Sequence, residues 1–240
     1  MKKFFGILGA VAALAMMTAC DEQKKDSQVP ADAQVGLQKN AVIYFSQTGT
    51  TKKVAEEFAR QLGAETIELK KVDPYPSTYD STIAAVRAER ESKNWPALAN
   101  AKLDLSKYDT LYVGAPIMFG FYAPPMYTFL DSNDLSGKVV VHFCTYGSGG
   151  RLASAKELAS MEPDAHVVLS YGISNRRANN PDVNLTEEIE KHIAAVRAGA
   201  SERQMVGAYG ESRLPTEEDL AVFAEATKDY AYLNLTPLTV

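Results

Sequence analysis

The chain is poor in cysteine and glycine, and these shortages exclude several classes of protein. Its 240 residues include only 2 cysteines, too few for a disulfide-dense secreted scaffold. Its 15 glycines are far too few for a collagen-like repeat. Hydrophobic residues make up 46% of the chain, so a sequence of this length can bury a sizeable core, and wholesale disorder is excluded.

An excess of positive charge is also lacking. The chain has 25 lysines and arginines against 30 acidic residues, a net charge of -5. Binding to nucleic acid requires a basic surface, and the sequence shows no face rich in lysine or arginine. The spacing of the three histidines does not match that of metal ligands, and no Ser/His/Asp or Cys/His relay is evident. The sequence therefore predicts no nucleic-acid partner, no metal site and no catalytic side chain of these kinds.

No apolar run is long enough to cross a bilayer as a mature helix. The longest, residues 4–19, is apolar or small throughout and follows Lys2 and Lys3. Its 16 residues fall short of the roughly 20 that a membrane-spanning helix needs. A basic start followed by a short apolar segment is typical of a secretory signal.

The apolar run stops at a cysteine. The residues Met17-Thr18-Ala19-Cys20 resemble the bacterial lipobox. The resemblance implies that residues 1–19 are removed as a lipoprotein signal peptide. Cys20 would then be lipidated and would anchor the protein to the bacterial cell envelope, periplasmic or surface-exposed. The alternative is a plain signal peptide with an incidental Cys20.

Two further expectations concern the neighbourhood of this anchor and the second cysteine. Residues 20–38 are mostly polar and include Pro30, which predicts a flexible tether. Cys144 cannot pair with a lipidated Cys20, and we interpret it as a small buried core residue.

The body of the chain alternates strand and helix patterns. Short, nearly continuous apolar runs predict five strands, over residues 41–45, 65–69, 110–113, 138–143 and 165–171. Helical spacing of apolar residues predicts helices over residues 50–62, 79–92, 124–130, 152–161 and 185–198. This alternation predicts an α/β fold whose parallel sheet is covered by helices on both faces.

The turn after the first strand, residues 46–51, is here called the first loop. It reads Ser46-Gln47-Thr48-Gly49-Thr50-Thr51, with four hydroxyls and a helix starting at its end. Free backbone N–H groups at a helix N-terminus bind anions. The loop lacks the lysine of a nucleoside-triphosphate loop and has no GxGxxG pattern. It therefore predicts a monophosphate held by neutral donors, the alternative being a capped turn without a ligand.

Two further loops follow later strands of the predicted sheet. The second loop, residues 114–125, offers aromatic rings and a sulfur atom. The third loop, residues 144–150, offers glycines for close backbone approach, with hydroxyl groups on Thr145, Tyr146 and Ser148. Ligands of open α/β sheets bind at the carboxyl ends of the strands. Together the loops predict a slot for a flat, hydrogen-bonding ring whose phosphate tail reaches the first loop.

In order and spacing these loops resemble those of the flavodoxin family over about residues 39–198. The first loop resembles the FMN phosphate loop, and the second and third resemble the two flavin-shielding loops. The match is to flavodoxin-like envelope lipoproteins more than to short cytosolic carriers. The resemblance implies a three-layer flavodoxin-like sandwich over residues 39–200, parallel strands in the order 2-1-3-4-5, FMN as cofactor and electron transfer.

Carried over by position, the resemblance assigns three groups of residues. The first group holds the phosphate: Ser46, Gln47 through its backbone, Thr48, Gly49, Thr50 and Thr51. The second lines one side of the isoalloxazine ring: Pro116, Ile117, Met118, Phe119 and Gly120. The third lines the other side and its polar edge: Thr145, Tyr146, Gly147, Ser148 and Gly149. Many relatives have tryptophan where this chain has Met118 and Phe119. The lone Trp95 lies outside the loops, where we interpret it as a packing residue or part of a partner surface.

Residues 201–240 exceed what a five-stranded flavodoxin needs. Residues 214–219 read as a capped helix start, and residues 206–240 weakly resemble the opening helix and strand of a cystatin-like domain. About 40 residues cannot bury enough surface to fold alone. This C-terminal extension is therefore either a helix docked on the core or a truncated second domain.

Three functions remain open on the sequence. The leading one is an FMN-binding electron-transfer protein or oxidoreductase anchored to the envelope, acting on a redox partner protein or a small electron acceptor. The second is an FMN-dependent reductase of quinone-type acceptors, although no second nucleotide motif is visible. The third is a flavodoxin-fold binding module without flavin.

Overall fold

The computed structural model describes residues 39–200. The predicted signal peptide, Cys20 anchor, tether and C-terminal extension lie outside these residues. The described part contains six strands: β1 (Asn40–Tyr44), β2 (Glu65–Glu68), β3 (Thr110–Met118), β4 (Phe121–Tyr122), β5 (Val139–Tyr146) and β6 (His166–Ser174). It contains six helices: α1 (Thr50–Leu62), α2 (Tyr79–Ser92), α3 (Pro125–Ser132), α4 (Arg151–Met161), α5 (Asn175–Ala178) and α6 (Leu185–Arg197).

Five of the strands form one parallel sheet in the order β2-β1-β3-β5-β6. Counted along the chain without the short β4, this is the order 2-1-3-4-5, so the predicted fold class is confirmed. The order reverses beside β1, because the chain goes from β1 outward to β2 and then crosses to β3 on the other side. This switch point is where open α/β sheets bind their ligands.

The sheet is buried on both faces, which explains its nearly continuous apolar strands. Successive side chains of a strand point to opposite faces. Ala41 and Ile43 of β1 belong to one core cluster, whereas Val42 and Tyr44 belong to the other. On the second face, α1 packs the ring of Phe58 against the sheet. The strands therefore contact a helical layer on each side, as parallel sheets require.

The second loop differs from its prediction, because much of it is strand. β3 continues to Met118, and β4 turns back to pair with it antiparallel, Ile117 opposite Tyr122 and Met118 opposite Phe121. Phe119 and Gly120 form the two-residue turn, with φ angles of 56° and 83°. Two successive left-handed residues are what a tight hairpin with right-handed strand twist requires. The sequence of this segment did not predict such a turn, because the first turn residue is Phe119 and not an asparagine or a glycine.

Two of the histidines, His142 and His192, are buried. His142 lies on β5 with its Nε2 atom 2.8 Å from the Ser154 hydroxyl, which confirms a core role. His192 lies on α6, whose sequence is mostly polar, yet it is fully buried against the rings of Phe58 and Tyr171. His192 shares the buried face of α6 with Ile189 and Ile193, whereas the other faces of the helix are polar.

The structure confirms the interpretations of Cys144 as a buried core residue and of Trp95 as a packing residue. Cys144 is a buried free cysteine on β5. Trp95 stacks on Tyr127 with ring centroids 4.3 Å apart, so it is a packing residue.

Within residues 39–200, no helix is long and apolar enough to cross a membrane. The same residues contain no group of three or more His, Cys, Asp or Glu side chains that could hold a metal ion.

Candidate functional site

All three predicted loops meet at the carboxyl edge of the sheet. The first loop follows β1, the β3–β4 hairpin extends β3, and the third loop follows β5. These three strands are neighbours in the sheet and run in the same direction. The fold therefore brings together the predicted binding residues, which are spread over more than 100 positions of sequence.

The first loop is closed by one serine and leaves helix N–H groups available. The Ser46 hydroxyl oxygen accepts hydrogen bonds from the backbone N–H groups of Gly49 and Lys52, both at 3.2 Å. Helix α1 begins at Thr50, and its first N–H groups have no acceptor within the helix. Gly49 precedes the helix without a side chain to cap them, and Thr48 is exposed beside it. An anion seated there would meet backbone donors at the positive end of the helix dipole.

The lysines that follow the loop are directed elsewhere. The Lys53 ammonium donates a 2.6 Å hydrogen bond to the carbonyl oxygen of Ala178. The Lys52 ammonium lies 3.9 Å from the Glu56 carboxylate, one helical turn further on. Both ammonium groups are therefore engaged outside the first loop.

A pair of buried hydroxyls joins the first loop to the third. The hydroxyl oxygens of Thr51 and Thr145 lie 2.8 Å apart, and both residues are only 1% exposed. Both were predicted to contact the cofactor directly. Their hydroxyls contact each other beneath the loop surfaces, and this contact holds the start of α1 against the end of β5.

Replacing Thr145 by valine is expected to destabilise the domain by about 1–3 kcal/mol, because the buried Thr51 hydroxyl loses its hydrogen-bond partner. Urea unfolding of the variant measures this cost. The double variant Thr51→Val/Thr145→Val removes both polar groups and should cost less than the sum of the two single changes. Strictly additive costs would show that the two hydroxyls do not depend on each other.

The β3–β4 hairpin packs against the third loop. A Cβ atom on Gly150 would lie 2.6 Å from the Ile117 side chain and 3.1 Å from the Gly120 carbonyl oxygen, so only glycine permits this approach. In contrast, a Cβ atom on Gly49, Gly120, Gly147 or Gly149 would meet no atom within 4 Å among the described residues. The hairpin and the third loop therefore touch at Gly150, whereas the Cβ positions of Gly147 and Gly149 are open.

A buried tyrosine supports the base of this slot. The Tyr122 hydroxyl donates to the carbonyl oxygen of Val113 at 2.8 Å and approaches that of Phe143 at 3.3 Å. Its ring stacks on His142, with centroids 4.7 Å apart. Burial raises the pKa of Tyr122 well above its ordinary value, so the hydroxyl remains a donor. These hydrogen bonds hold the hairpin to β3 and β5.

One site residue was missed by sequence reasoning. Asn179, just after α5, donates from its side-chain amide to the Thr50 hydroxyl at 3.2 Å. It lies 129 positions from Thr50 and belongs to no motif. A polar residue after the fifth parallel strand was the only available signal, since every carboxyl end of the sheet faces the same edge.

A separate groove lies along α1 and contains none of the predicted binding residues. It has a volume of about 580 Å³ between α1 and residues 180–186. Charges of both signs line it, among them Lys53, Glu57 and Arg60. The Arg60 guanidinium pairs with Glu57 and holds the pKa of that carboxyl at about 2. Glu57 and Arg60 thus compensate each other within the groove.

The fold and the loops define a class of protein: a three-layer α/β sandwich with an open turn between its first strand and its first helix. Comparison with known families is more specific. The family model described as flavodoxin matches residues 39–188, well over half of the chain. The chain belongs to the flavodoxin family.

Solved structures agree with this assignment. A protein of Bacteroides eggerthii assigned as a flavoprotein is 27% identical, with a TM-score of 0.55; the match covers 66% of this chain and 98% of that one. A second, from Bacteroides uniformis, is also 27% identical, with a TM-score of 0.57 and coverages of 65% and 98%. A flavoprotein of Lactobacillus acidophilus in complex with FMN is 24% identical, with a TM-score of 0.51 and coverages of 56% and 93%; at this identity it supports the fold alone.

Proposed function

We propose that this chain binds FMN and transfers electrons through it. The observation that carries the proposal is the junction of the first and third loops through the Thr51–Thr145 hydroxyl pair at 2.8 Å. This contact fixes an anion site and a glycine-lined slot relative to each other, as a phosphate-tailed flat ring requires. Membership of the flavodoxin family supports the choice of cofactor, and the Lactobacillus acidophilus flavoprotein of the same fold is in complex with FMN.

In this proposal the two ends of the cofactor meet different chemistry. The N–H groups at the start of α1 and the exposed Thr48 side chain hold the phosphate. The β3–β4 hairpin covers one face of the ring, while residues 145–149 of the third loop cover the other face and its polar edge. The flavin supplies the redox chemistry when bound, and the protein orients it and excludes water from it.

The first test is the visible spectrum of the purified chain after addition of FMN. We expect flavin absorption bands at a stoichiometry near one to one. Thr48→Glu should weaken FMN binding about 100-fold or more, because a carboxylate within a few ångström of a phosphate repels it. Thr48→Ser keeps the hydroxyl and is the matched control. Riboflavin, which lacks the phosphate, should respond far less to the glutamate.

The opposite results are equally informative. A colourless protein that ignores added FMN would contradict the proposal and favour a flavodoxin-fold binding module. An equal loss of FMN and riboflavin binding in Thr48→Glu would show general damage to the loop and not repulsion of a phosphate.

We further propose that Cys20 carries a lipid anchor that holds the protein at the bacterial cell envelope. Support comes from the sequence alone, namely the apolar run that ends at Met17-Thr18-Ala19-Cys20. Cys20→Ala should move the protein from the membrane fraction to the soluble fraction, while Cys144→Ala should not. Retention of Cys20→Ala in the membrane fraction would contradict the anchor.

A further inference from the structure

The outer face of the β3–β4 hairpin exposes two aromatic rings. Cross-strand pairing places Met118 and Phe121 side by side on one face and Ile117 and Tyr122 on the other. The second face is turned inward, since Tyr122 is buried and Ile117 reaches Gly150. Phe121 is 40% exposed, and Phe119, at the turn, is 45% exposed. Large apolar side chains grouped on a protruding turn are typical of binding surfaces.

Two arginines of α2 lie over these rings. The Arg90 guanidinium carbon is 4.3 Å from the centre of the Phe121 ring, and that of Arg87 is 5.7 Å from the centre of Phe119. The two arginines are three positions apart, so they share a face of the helix. We name the surface formed by Arg87, Arg90, Phe119 and Phe121 the hairpin face.

The positive charge of the hairpin face is not cancelled by direct ion pairs. Among the described residues, the ion pairs of lysine and arginine with carboxylates include neither Arg87 nor Arg90. Arg90 donates to the Tyr127 hydroxyl at 3.2 Å, which itself donates to Glu157, so part of its charge is compensated. Arg87 is exposed and lies near the ring of Phe119. Glu89 of the same helix pairs with Lys71 instead.

We propose that the hairpin face is the docking surface for an acidic redox protein. The inference rests on the proposed function, because the same turn would border the bound flavin. Arginine and aromatic residues are the side chains enriched where protein partners bind most strongly. Guanidinium groups attract carboxylates and steer an acidic partner. An exposed face, as opposed to a cavity, gives a small molecule little surface to bury, whereas a protein can cover all four side chains.

Docking is measured first on the FMN-free chain, so that its result does not depend on flavin binding. The probes are a plant-type ferredoxin, which is acidic, and cytochrome c, which is basic. Calorimetric titration at low ionic strength should show binding of ferredoxin about tenfold tighter than that of cytochrome c. The affinity for ferredoxin should fall as salt is raised to about 0.1 M, where the Debye length shrinks to about 10 Å.

Variants identify the surface. Arg87→Gln removes the exposed charge, and Phe119→Asn removes the ring while keeping a residue that tolerates the left-handed turn. Each should weaken ferredoxin binding by about fivefold or more, since interface arginines and aromatics carry much of the affinity. Lys107→Gln, an exposed cation before β3 at the opposite edge of the sheet, is the matched control and should change nothing. Arg87→Gln should still take up FMN, which separates failure of docking from failure of the proposed cofactor site.

Four results would overturn the proposal. The first is unchanged ferredoxin affinity in Arg87→Gln, and the second is tighter binding of cytochrome c than of ferredoxin. The third is no ferredoxin binding, with the chain instead binding vesicles that contain phosphatidylglycerol through Arg87 and Phe119, which would make the face a lipid contact. The fourth is self-association that Phe119→Asn abolishes, which would assign the face to a second copy of the chain.

Discussion

Replacing Gly114 by alanine is expected to destabilise the domain by about 3 kcal/mol, at the upper end of typical costs for overpacking a core. Gly114 lies within β3 and is paired with Phe143 of β5. A Cβ atom on Gly114 would lie 2.1 Å from two carbons of the Phe143 ring. That ring is fully buried and packs on Phe58, with centroids 5.2 Å apart, so it has little freedom to move away. Unfolding by urea, compared with the wild type, measures the cost.

Two further variants test the cause of this loss. Gly147→Ala in the FMN-free protein is the matched control, because its new methyl group meets no atom within 4 Å, and we expect a change below about 0.5 kcal/mol. In a Phe143→Leu background the smaller side chain makes room, so Gly114→Ala should cost less than it does in the wild type. An equal cost in both backgrounds would rule out the clash with Phe143 as the explanation.

Acidification from pH 7 to pH 5 should remove about 4 kcal/mol of folding free energy, about 2 kcal/mol for each of two buried histidines. Burial, assisted by the positive charge of Arg151, lowers the pKa of His142 to about 3, and the same causes lower the pKa of His192 to about 3. Both are neutral in the folded protein but take up a proton in the unfolded chain below about pH 6.5. Their contribution is complete above that pH and declines as the pH falls toward 3.

Unfolding free energies measured at intervals between pH 7 and pH 5 check this dependence. His142→Gln, which cannot titrate and keeps an amide near Ser154, should reduce the loss by about half. His166→Gln, at an exposed position, is the matched control. The lowered pKa of Glu57 affects stability only at lower pH: its contribution is complete above about pH 4.5, where the unfolded carboxyl is ionised, and is lost as the pH falls toward 2. A stability unchanged between pH 7 and pH 5 would contradict the buried, neutral state of both histidines.

Local patterns were sufficient to predict most of the fold. Helix α2 occupies the residues that apolar spacing predicted, 79–92, and α1 occupies 50–62. β3, β5 and β6 extend beyond their predictions at the carboxyl end, as β3 shows by continuing to Met118, whereas β1 and β2 end one residue early. Strand ends depend on hydrogen bonds to neighbouring strands, here β4 and β5, and these are absent from a local pattern.

For the candidate site, too, the sequence predicted which segments take part but not what each side chain contacts. The residues of the first and third loops were identified from hydroxyls and glycines at the ends of two apolar strands, because a parallel sheet places all such ends at one edge. The contacts of the individual side chains could not be predicted in this way. The hydroxyls of Thr51 and Thr145 were predicted to face a ligand, yet they contact each other across 94 positions of sequence.

The sequence by itself determined the alternation of strands and helices, the parallel sheet and the family, because hydrophobic periodicity and turn residues act over a few neighbouring positions. Only the tertiary structure decided that Asn179 reaches Thr50, that His192 is buried and that two arginines of α2 cover the aromatic rings of the hairpin. Each of these contacts joins segments that are distant along the chain. Their geometry depends on how the helical layers pack on the sheet, and close packing fixes it only after every element is in place.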